Sequence, residues 1–463
     1  MRDSSTTSLL DIEVLKKFDV AGPRYTSYPT ADRFVESFGP EQHAVWLAKR
    51  GSGGLRRPLS VYVHLPFCNT ICYYCGCNKV VTKDRSKAAK YLRYLEKEVQ
   101  LQTKLLDDPS IAQMHWGGGT PTFLSGAELR DLAQMLCTYF DRSSELECSI
   151  EVDPRGVSEE SVWLLAELGF NRLSVGVQDF DREVQRAINR MQSEAQTAQV
   201  IATARAAGFR SVNVDLIYGL PKQTLTAFDR TLDKVIALSP DRLAIYNYAH
   251  LPHVFKPQRR IDAADLPDVD TRLQIFSLAV QRLTQAGYVH IGLDHFAKAQ
   301  DDLAVAQRRG RLHRNFQGYS THVDSDLLGL GVSSISALGP TFSQNVRTLD
   351  EYYDRLDANT LPTMRGIALT DDDLVRRNVI LALMCHFELA FDSLEIAHLI
   401  NFREYFETEL QELEAFVDAG LVTVEGDCLT ITERGRHLVR AICMVFDRRL
   451  RQQRMRASYS KVV

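Results

Sequence analysis

Between residue 59 and about residue 297, short apolar segments alternate with longer segments whose apolar residues recur every three or four positions. The short segments predict strands, and the longer ones predict amphipathic helices that bury one face. The predicted strands are residues 59–67, 112–116, 148–152, 172–177, 211–218, 242–247 and 289–293. The predicted helices between them are residues 87–106, 127–140, 159–168, 194–207, 225–238 and 271–286. This alternation is typical of parallel strands joined by right-handed crossovers.

Polar residues or glycines end each of the first six predicted strands. A cysteine-rich segment follows the first strand and GGGTP (117–121) follows the second, while Glu151, Gln178 and Asp215 lie at or near the ends of the next three. In (β/α) barrels the catalytic groups lie at the carboxyl ends of the strands. We therefore expect an α/β fold built on a (β/α) barrel of six or seven units, complete or partial. An open doubly wound sheet is the alternative.

The segments on either side of this alternation predict three domains. Residues 1–58 lack a long periodic pattern but keep aromatic residues, which predicts an N-terminal arm packed on the body. Residues 59–345 form the barrel and end in a Gly- and Ser-rich stretch after 298 that we interpret as substrate-lining loops. Residues 346–463 predict helices at 372–386 and 402–419, a ribbon within 421–435 and a final helix at 434–451. This order predicts a mainly helical, winged-helix-like C-terminal domain.

The segment after the first strand carries the strongest chemical signal. Cys68, Cys72 and Cys75 have C-x3-C-x2-C spacing. Three thiolates on one loop can hold three irons of a [4Fe–4S] cluster and leave the fourth iron open to a ligand. A structural zinc site that adds Cys77, with or without His64, is the alternative, although such sites usually consist of two well-separated ligand pairs.

Composition restricts the function further. The net charge is −4, so we expect no general attraction to nucleic acid or to an anionic membrane. The basic run at 448–456 is interpreted as a solvated helix face. No apolar run reaches the ~18–20 residues of a membrane span, and the first residues lack the pattern of a secretory signal. Nine cysteines, four of them in one loop, indicate a reducing, cytoplasmic setting rather than a disulfide framework.

Several motifs resemble those of a known family. The cysteine loop, with Tyr74 before its third cysteine, resembles the signature of radical S-adenosylmethionine (SAM) enzymes. The longer strings PRYTSYPT, CNTICYYCGCNK, HWGGGTPT, DLIYGLPKQT and HRNFQGY resemble the oxygen-independent coproporphyrinogen III oxidase (dehydrogenase) family over nearly the whole chain. This resemblance implies a partial (β/α)6-type radical SAM barrel. It also implies a [4Fe–4S] cluster on Cys68, Cys72 and Cys75, and two SAM molecules per active site.

The resemblance also implies which residues form the site. The catalytic positions are Tyr62, Glu151, Phe316 and Gln317. The matching cofactor-binding positions are Tyr62, Tyr74, Gly118, Gly119, Thr120, Glu151, Gln178, Arg190, Asp215, Ala249 and Ile335. From its strand position alone, Glu151 is an inward carboxylate that needs a partner, either the cationic SAM or a neighbouring Arg155 or Arg172.

The implied reaction is the oxidative decarboxylation of coproporphyrinogen III to protoporphyrinogen IX by a 5′-deoxyadenosyl radical. A flavodoxin or ferredoxin system would donate electrons to a monomeric enzyme. The anionic substrate calls for basic residues, for which Arg24, Lys79 and Arg314 are the candidates. Three rival hypotheses are a haem chaperone with the same cysteine loop, a zinc-stabilised nucleic-acid-binding module, and a radical SAM methyltransferase.

Overall fold

A computed structural model describes residues 11–50, 57–323, 325–451, 459 and 461–463. The chain begins with an N-terminal arm that contains α1 (Ile12–Phe18), a 3-10 turn (Ala31–Arg33) and α2 (Pro40–Lys49). Asp11 caps α1 by accepting hydrogen bonds from the backbone N–H groups of Glu13 and Val14. The predicted Gly-rich joint at 51–56 lies outside the described residues.

Eight strands follow, and six of them form the core of the sheet. They are β1 (Leu59–Leu65), β2 (Phe67–Cys68), β3 (Val80–Val81), β4 (Ser110–Gly118), β5 (Asp141–Val152), β6 (Arg172–Gln178), β7 (Ser211–Tyr218) and β8 (Arg242–Asn247). Strands β1, β4, β5, β6, β7 and β8 are neighbours in that order and all pair in parallel. This order never reverses, unlike that of a doubly wound sheet, so the predicted barrel architecture is confirmed.

The crossovers between these strands are helical, as predicted. They are α3 (Ser86–Thr103), α4 (Gly126–Tyr139), α5 (Glu159–Glu167), α6 (Arg182–Ala187), α7 (Glu194–Ala206) and α8 (Leu225–Leu238). Ser125 and Ser193 start α4 and α7 with capping boxes, in which a side chain three residues later also bonds the cap backbone. The core-facing residues of the strands are almost fully buried, as in Val61, Val63 and Ile150.

The sheet grows beyond the parallel strands at both ends and does not close. Helix α9 (Val269–Gln285) leads to β9 (Tyr288–Gly292) and β10 (His295–Lys298), and β10 pairs antiparallel with both β9 and β8. The predicted strand at 289–293 is therefore present as β9, but it does not add a seventh unit to the parallel core, because β10 lies between it and β8. Only two residues separate β9 from β10, which is the short connection of an antiparallel pair.

The segment predicted as loops after residue 298 is mostly regular structure. It contains α10 (Asp302–Arg308), the hairpin β11 (His313–Asn315) and β12 (Gly318–Ser320), and strands β13 (Asp326–Leu330), β14 (Ile335–Leu338) and β15 (Thr341–Asn345). Strand β13 pairs in parallel with β1, and β14 and β15 continue the sheet antiparallel. After α11 (Leu349–Asp357), β16 (Thr363–Ala368) adds the last strand, so the sheet continues past residue 345. The domain boundary placed there remains a prediction.

The C-terminal region is mainly helical. It comprises α12 (Asp371–His386), β17 (Glu388–Ala390), α13 (Phe391–His398), α14 (Phe402–Tyr405), α15 (Glu407–Asp418), β18 (Val422–Glu425), β19 (Cys428–Ile431), a 3-10 turn (Arg436–Leu438), α16 (Val439–Val445) and α17 (Arg448–Arg451). The predicted ribbon is present, and the unpredicted β17 joins it in a three-stranded sheet. The expected single helix at 434–451 is broken, because Asp447 accepts a hydrogen bond from the backbone N–H of Leu450 and caps a new helix.

Residues near the two ends of the chain meet. Ala21 forms a β-bridge with Lys461, and the backbone N–H of Val463 donates to the Asp19 carboxylate at 3.2 Å. The buried Arg440 side chain donates to the carbonyls of Pro23 and Lys461 and so holds both segments together. The arm is thus fixed over the barrel by residues more than 400 positions later. No helix among the described residues is both long and apolar enough to cross a membrane.

Candidate active site

A cavity of about 540 Å³ lies at the carboxyl ends of the parallel strands. The alternation of side chains along the strands places polar residues on the side of the cavity. On β5, Cys148 and Ile150 are buried in the core, while Ser149 and Glu151 point to the other face. The predicted site residues that line this cavity are Cys68, Cys72, Tyr74, Cys75, Gly118, Gly119, Thr120, Glu151, Gln178, Arg190 and Asp215. Most of the predicted site residues therefore line one cavity.

The sulfur atoms of the cysteine loop already have hydrogen-bond donors. The Thr120 hydroxyl donates to Cys68 Sγ at 3.6 Å, and Arg155 and Arg190 each donate to Cys72 Sγ at 3.6 Å. Burial raises the pKa of the Cys68 thiol to about 11, whereas a hydrogen bond with Cys77 lowers the pKa of the Cys75 thiol to about 6. Two guanidinium groups beside the sulfurs favour an anionic thiolate cluster.

The cysteine loop has the features that a [4Fe–4S] cluster needs. In such a cluster each thiolate bonds a different iron, and three thiolates leave the fourth iron open to a ligand. The loop supplies three thiols, hydrogen-bond donors to the sulfurs of Cys68 and Cys72, and an adjoining cavity. These features fit the predicted cluster.

Side chains and backbone from later parts of the chain shape the cysteine loop. The N–H of Tyr73 donates to the Ile188 carbonyl at 2.9 Å, and the Asn189 side chain donates to the Ile71 carbonyl at 2.7 Å. Lys79 Nζ donates to the Cys75 carbonyl at 2.9 Å. Lys79, a candidate for substrate binding, therefore also closes the end of the loop.

Gln258 ties the cysteine loop to the segment after β8. Its side-chain Nε2 donates to the carbonyls of Tyr74 and Ala249 at 3.0 and 3.1 Å, and its Oε1 accepts from the N–H of Leu251 at 2.6 Å. The residue is 2 % exposed. Sequence reasoning missed it, because a side chain that bonds only backbone groups leaves no motif.

Contacts within the protein require the glycines at the end of β4. A Cβ on Gly119 would lie 2.6 Å from the carbonyl carbon of Pro66 and 2.7 Å from the carbonyl oxygen of Phe67. Gly118 has a φ of +109°, and a Cβ there would meet the His64 ring. The GGGTP turn therefore packs directly against the strand that leads into the cysteine loop, and no side chain fits between them.

The Glu151 carboxylate faces the cavity, with 43 % of its side chain accessible. His115 Nε2 donates to Glu151 Oε1 and the Gly118 N–H donates to Oε2, both at 3.2 Å. Burial tends to raise the pKa of this carboxyl, but these donors outweigh it and the pKa is lowered. The alternative pairing of Glu151 with Arg155 or Arg172 was wrong.

Those two arginines bind other carboxylates. Arg155 pairs with Asp153 at 2.6 Å, and Arg172 pairs with Glu147 at 2.8 Å. They are therefore not available as the partner that Glu151 needs, and this leaves an accessible anionic group that faces the cavity.

Two further charged groups line the cavity. Asp215 accepts from Ser174 Oγ and from Asn213 Nδ2, each at 2.8 Å, and its burial raises the pKa to about 6. Arg190 donates to Asp153 at 3.0 Å and to the Gly176 carbonyl at 2.6 Å, while its buried Nε has no hydrogen-bond partner among the described residues. The cavity wall thus carries both acidic and basic groups.

Five predicted site residues lie outside this cavity. Tyr62 donates to His64 Nδ1 at 3.0 Å, and its ring stacks on His115, which contacts Glu151. Ala249 contributes its carbonyl to Gln258. Ile335 and Phe316 pack in a separate apolar cluster, and Gln317 lies beside Phe316 with both of its amide atoms buried and unpaired among the described residues. Their roles remain predictions.

Comparison with known proteins identifies the family. Residues 62–235 match the Radical SAM superfamily, and residues 369–438 match the HemN C-terminal domain. The oxygen-independent coproporphyrinogen III oxidase of Pseudomonas aeruginosa is 50 % identical over 95 % of this chain and 96 % of its own length. That of Escherichia coli K12 is 47 % identical over 98 % of each chain.

A solved structure extends the agreement to the fold. The structure of coproporphyrinogen III oxidase (HemN) from Escherichia coli, described as a radical SAM enzyme, covers 95 % of this chain and 99 % of its own, with 47 % identity and a TM-score of 0.91. Both similarities extend over the arm, the sheet and the helical C-terminal region. The chain therefore belongs to the oxygen-independent coproporphyrinogen III oxidase family of radical SAM enzymes.

Proposed function

We propose that the protein catalyses the oxygen-independent oxidative decarboxylation of coproporphyrinogen III to protoporphyrinogen IX in haem biosynthesis. Each of two rounds converts one propionate side chain into a vinyl group, releases carbon dioxide and passes one electron to an acceptor. The observation that carries this proposal is identity of 47–50 % over at least 95 % of the chain to enzymes of that name. The three-cysteine cavity supports it.

The cysteine loop is the place for a [4Fe–4S] cluster, held by Cys68, Cys72 and Cys75. Once bound there, the cluster and SAM together would supply a 5′-deoxyadenosyl radical for hydrogen abstraction from the β-carbon of the propionate. Thr120, Arg155 and Arg190 donate hydrogen bonds to the thiolate sulfurs and fix their positions. Gly118 and Gly119 let the end of β4 pack closely against residues 64–67, which lead into the cysteine loop.

The remaining cavity residues orient SAM. Glu151 stays ionised because its pKa is lowered, and its charge suits the ammonium and sulfonium groups of SAM. Gln178 and Asp215 suit the ribose hydroxyls, and Arg190 suits the carboxylate. Tyr74 and Ala249, which Gln258 ties together, complete the wall. Tyr62, Ile335, Phe316 and Gln317 belong to the binding region for a second SAM and the substrate.

We further propose a cytoplasmic, monomeric enzyme that receives electrons from a flavodoxin or ferredoxin system and binds no nucleic acid. The nine cysteines are all unpaired, which suits a reducing compartment. The net charge of −4 gives no general affinity for polyanions.

The test is turnover without oxygen. Reconstituted protein with SAM, a reductant and coproporphyrinogen III should yield protoporphyrinogen IX, detected as protoporphyrin fluorescence after oxidation, together with carbon dioxide and 5′-deoxyadenosine. The Cys72→Ala variant should yield none. A protein that carries the cluster and binds haem but forms no product would instead be a haem chaperone. A methylated product without carbon dioxide would indicate a methyltransferase.

A further inference from the structure

A second, much smaller cavity lies between the N-terminal arm, the β11–β12 hairpin and α12. Its volume is about 30 Å³, enough for a group the size of a carboxylate or two waters. We name it the arginine pocket and define it by the lining residues Tyr28, Arg314, Phe316, Ser325, Phe342 and Arg377. It is separate from the cavity at the cysteine loop, since the two share no lining residue.

The charge of this pocket is positive. Arg314 and Arg377 both line it, and none of the described residues that line it is acidic. Arg314 is only 5 % exposed, and its guanidinium lies 4.7 Å from the Tyr319 ring. Its Nη2 donates a long hydrogen bond of 3.4 Å to the Arg24 carbonyl. The nearby Asp294 is paired with Arg24 at 2.5 Å. Because Nε and Nη1 of this buried guanidinium lack a partner among the described residues, Arg314 calls for an anion in this pocket.

Unused hydrogen-bond donors point to the same ligand. Three residues that line the pocket carry four buried donor atoms without a hydrogen-bond partner among the described residues: Arg314 Nε and Nη1, Tyr28 Oη and Ser325 Oγ. Buried donors are rarely left unpaired, and each costs free energy when it is. A carboxylate has two oxygens that can accept several such bonds at once.

The pocket adjoins a partly buried apolar surface. Phe316 and Phe342 line the pocket and also pack with Ile335, Phe34 and Ile367 in one apolar cluster, in which Phe316 and Ile335 are only partly buried. The Ile335 backbone crosses directly over Gly329, which pairs with Tyr62 of β1. This surface therefore leads from the barrel strands to the pocket.

We propose that the arginine pocket binds a propionate carboxylate of the porphyrinogen substrate, with Arg314 as its main ligand. The inference rests on the proposed function and adds to it the residue that anchors the substrate. The macrocycle lies on the apolar cluster, and one of its carboxylates enters the pocket and accepts hydrogen bonds from Arg314, Tyr28 and Ser325. The other two basic candidates have partners within the protein: Arg24 forms an ion pair with Asp294, and Lys79 donates a hydrogen bond to the cysteine loop.

The test compares Arg314→Gln with Arg311→Gln, which removes the same charge from an exposed position three residues away. Isothermal titration calorimetry on the cluster-loaded enzyme with SAM measures the affinity for coproporphyrin III and for its uncharged tetramethyl ester. Arg314→Gln should weaken coproporphyrin III binding about ten- to hundredfold, as expected for a charged hydrogen-bonded pair. Arg311→Gln should change it less than twofold. The ester should bind both variants and the wild type equally weakly.

Steady-state kinetics and exchange measurements complete the test. In Arg314→Gln the KM for coproporphyrinogen III should rise much more than kcat falls, while SAM cleavage without substrate stays unchanged. If the variant does not fold, hydrogen exchange on the wild type decides. Coproporphyrin III, but not the ester, should protect the amides of residues 313–320.

Three results would overturn the inference: unchanged coproporphyrin III affinity in Arg314→Gln, equal wild-type affinity for acid and ester, or no protection of the hairpin. A wild-type enzyme that forms no protoporphyrinogen IX would instead overturn the proposed function. Normal wild-type turnover with any of those three results overturns the pocket alone.

Discussion

Replacing Gln258 with leucine should loosen the active site, although it substitutes none of the site residues that the sequence predicted. The side chain is buried and makes three hydrogen bonds, to the carbonyls of Tyr74 and Ala249 and from the N–H of Leu251. Leucine has a similar volume but no polar atom. The change therefore breaks the connection between the cysteine loop and the segment after β8 and leaves the packing nearly intact.

The size of the effect follows from the three lost bonds. A hydrogen bond between neutral groups contributes about 0.5–1.5 kcal/mol net, and the three partner groups lie in only partly buried residues that water can reach. Local opening of the two segments should therefore become easier by about 2–4 kcal/mol. Since about 1.4 kcal/mol corresponds to a factor of ten, amide exchange there should accelerate about 30- to 700-fold.

Hydrogen–deuterium exchange with mass spectrometry on the anaerobic enzyme measures this directly, in peptides that cover residues 71–77 and 248–258. The KM for SAM should rise in parallel. The matched control is Gln285→Leu, an exposed position at the end of α9 that should leave exchange unchanged. Exchange within twofold of the wild type in both segments would refute the reasoning.

Three further predictions concern the cavity itself. The affinity for SAM should rise about tenfold from pH 5 to pH 7, because the Asp215 carboxyl, whose pKa is raised to about 6, becomes ionised over this range. Equilibrium dialysis measures this affinity, and Asp215→Asn should remove its pH dependence. Thr120→Val removes the hydroxyl donated to Cys68 Sγ, so the reduced cluster loses stabilisation and its reduction potential should fall by about 20–40 mV in a spectroscopic redox titration. Gly119→Ala places a Cβ 2.6 Å from the Pro66 backbone and should destabilise the fold by about 1–3 kcal/mol, with loss of iron content and thermal stability.

Each of these three predictions can be contradicted by a specific result. A SAM affinity that falls or stays level between pH 5 and pH 7 would show that ionised Asp215 is not a SAM ligand. A potential that rises or does not move in Thr120→Val would mean that the hydroxyl does not bond the ligated sulfur. For the glycine, Gly156→Ala is the control, because nothing lies within 4 Å of its added Cβ; equal stability of the two variants would contradict the close packing.

The parallel strands were predictable because each is an apolar run between turn residues, and for β7 and β8 the predicted bounds are the observed ones. Strand β15 was not predictable. All five residues of TFSQN are buried although most are polar, because Ser343 bonds the His43 ring at 2.8 Å and Gln344 accepts from Arg365 at 2.9 Å. His43 lies 300 positions away from Ser343, and local periodicity carries no information about such a contact.

The candidate site divides in the same way. Residues at strand ends could be placed in one cavity, since strand ends meet at one edge of a barrel. The partner of Glu151 could not be predicted. His115 lies on the neighbouring strand β4, and strand pairing is not visible in the sequence, so arginines nearer in sequence were considered instead. The arginine pocket was out of reach as well: it forms only where the arm, a hairpin and a helix from three parts of the chain meet.

The contact between the arm and residues 461–463 has a consequence for the order of events during synthesis. The arm emerges from the ribosome first, yet Ala21 pairs with Lys461, and Arg440 holds the carbonyl of Pro23. Arg24 on the same arm lies 5.5 Å from the ring of Tyr246, which lines the large cavity. The arm cannot complete these contacts until residues 440–463 have been translated. Docking of the arm is therefore one of the last steps in the folding of this chain.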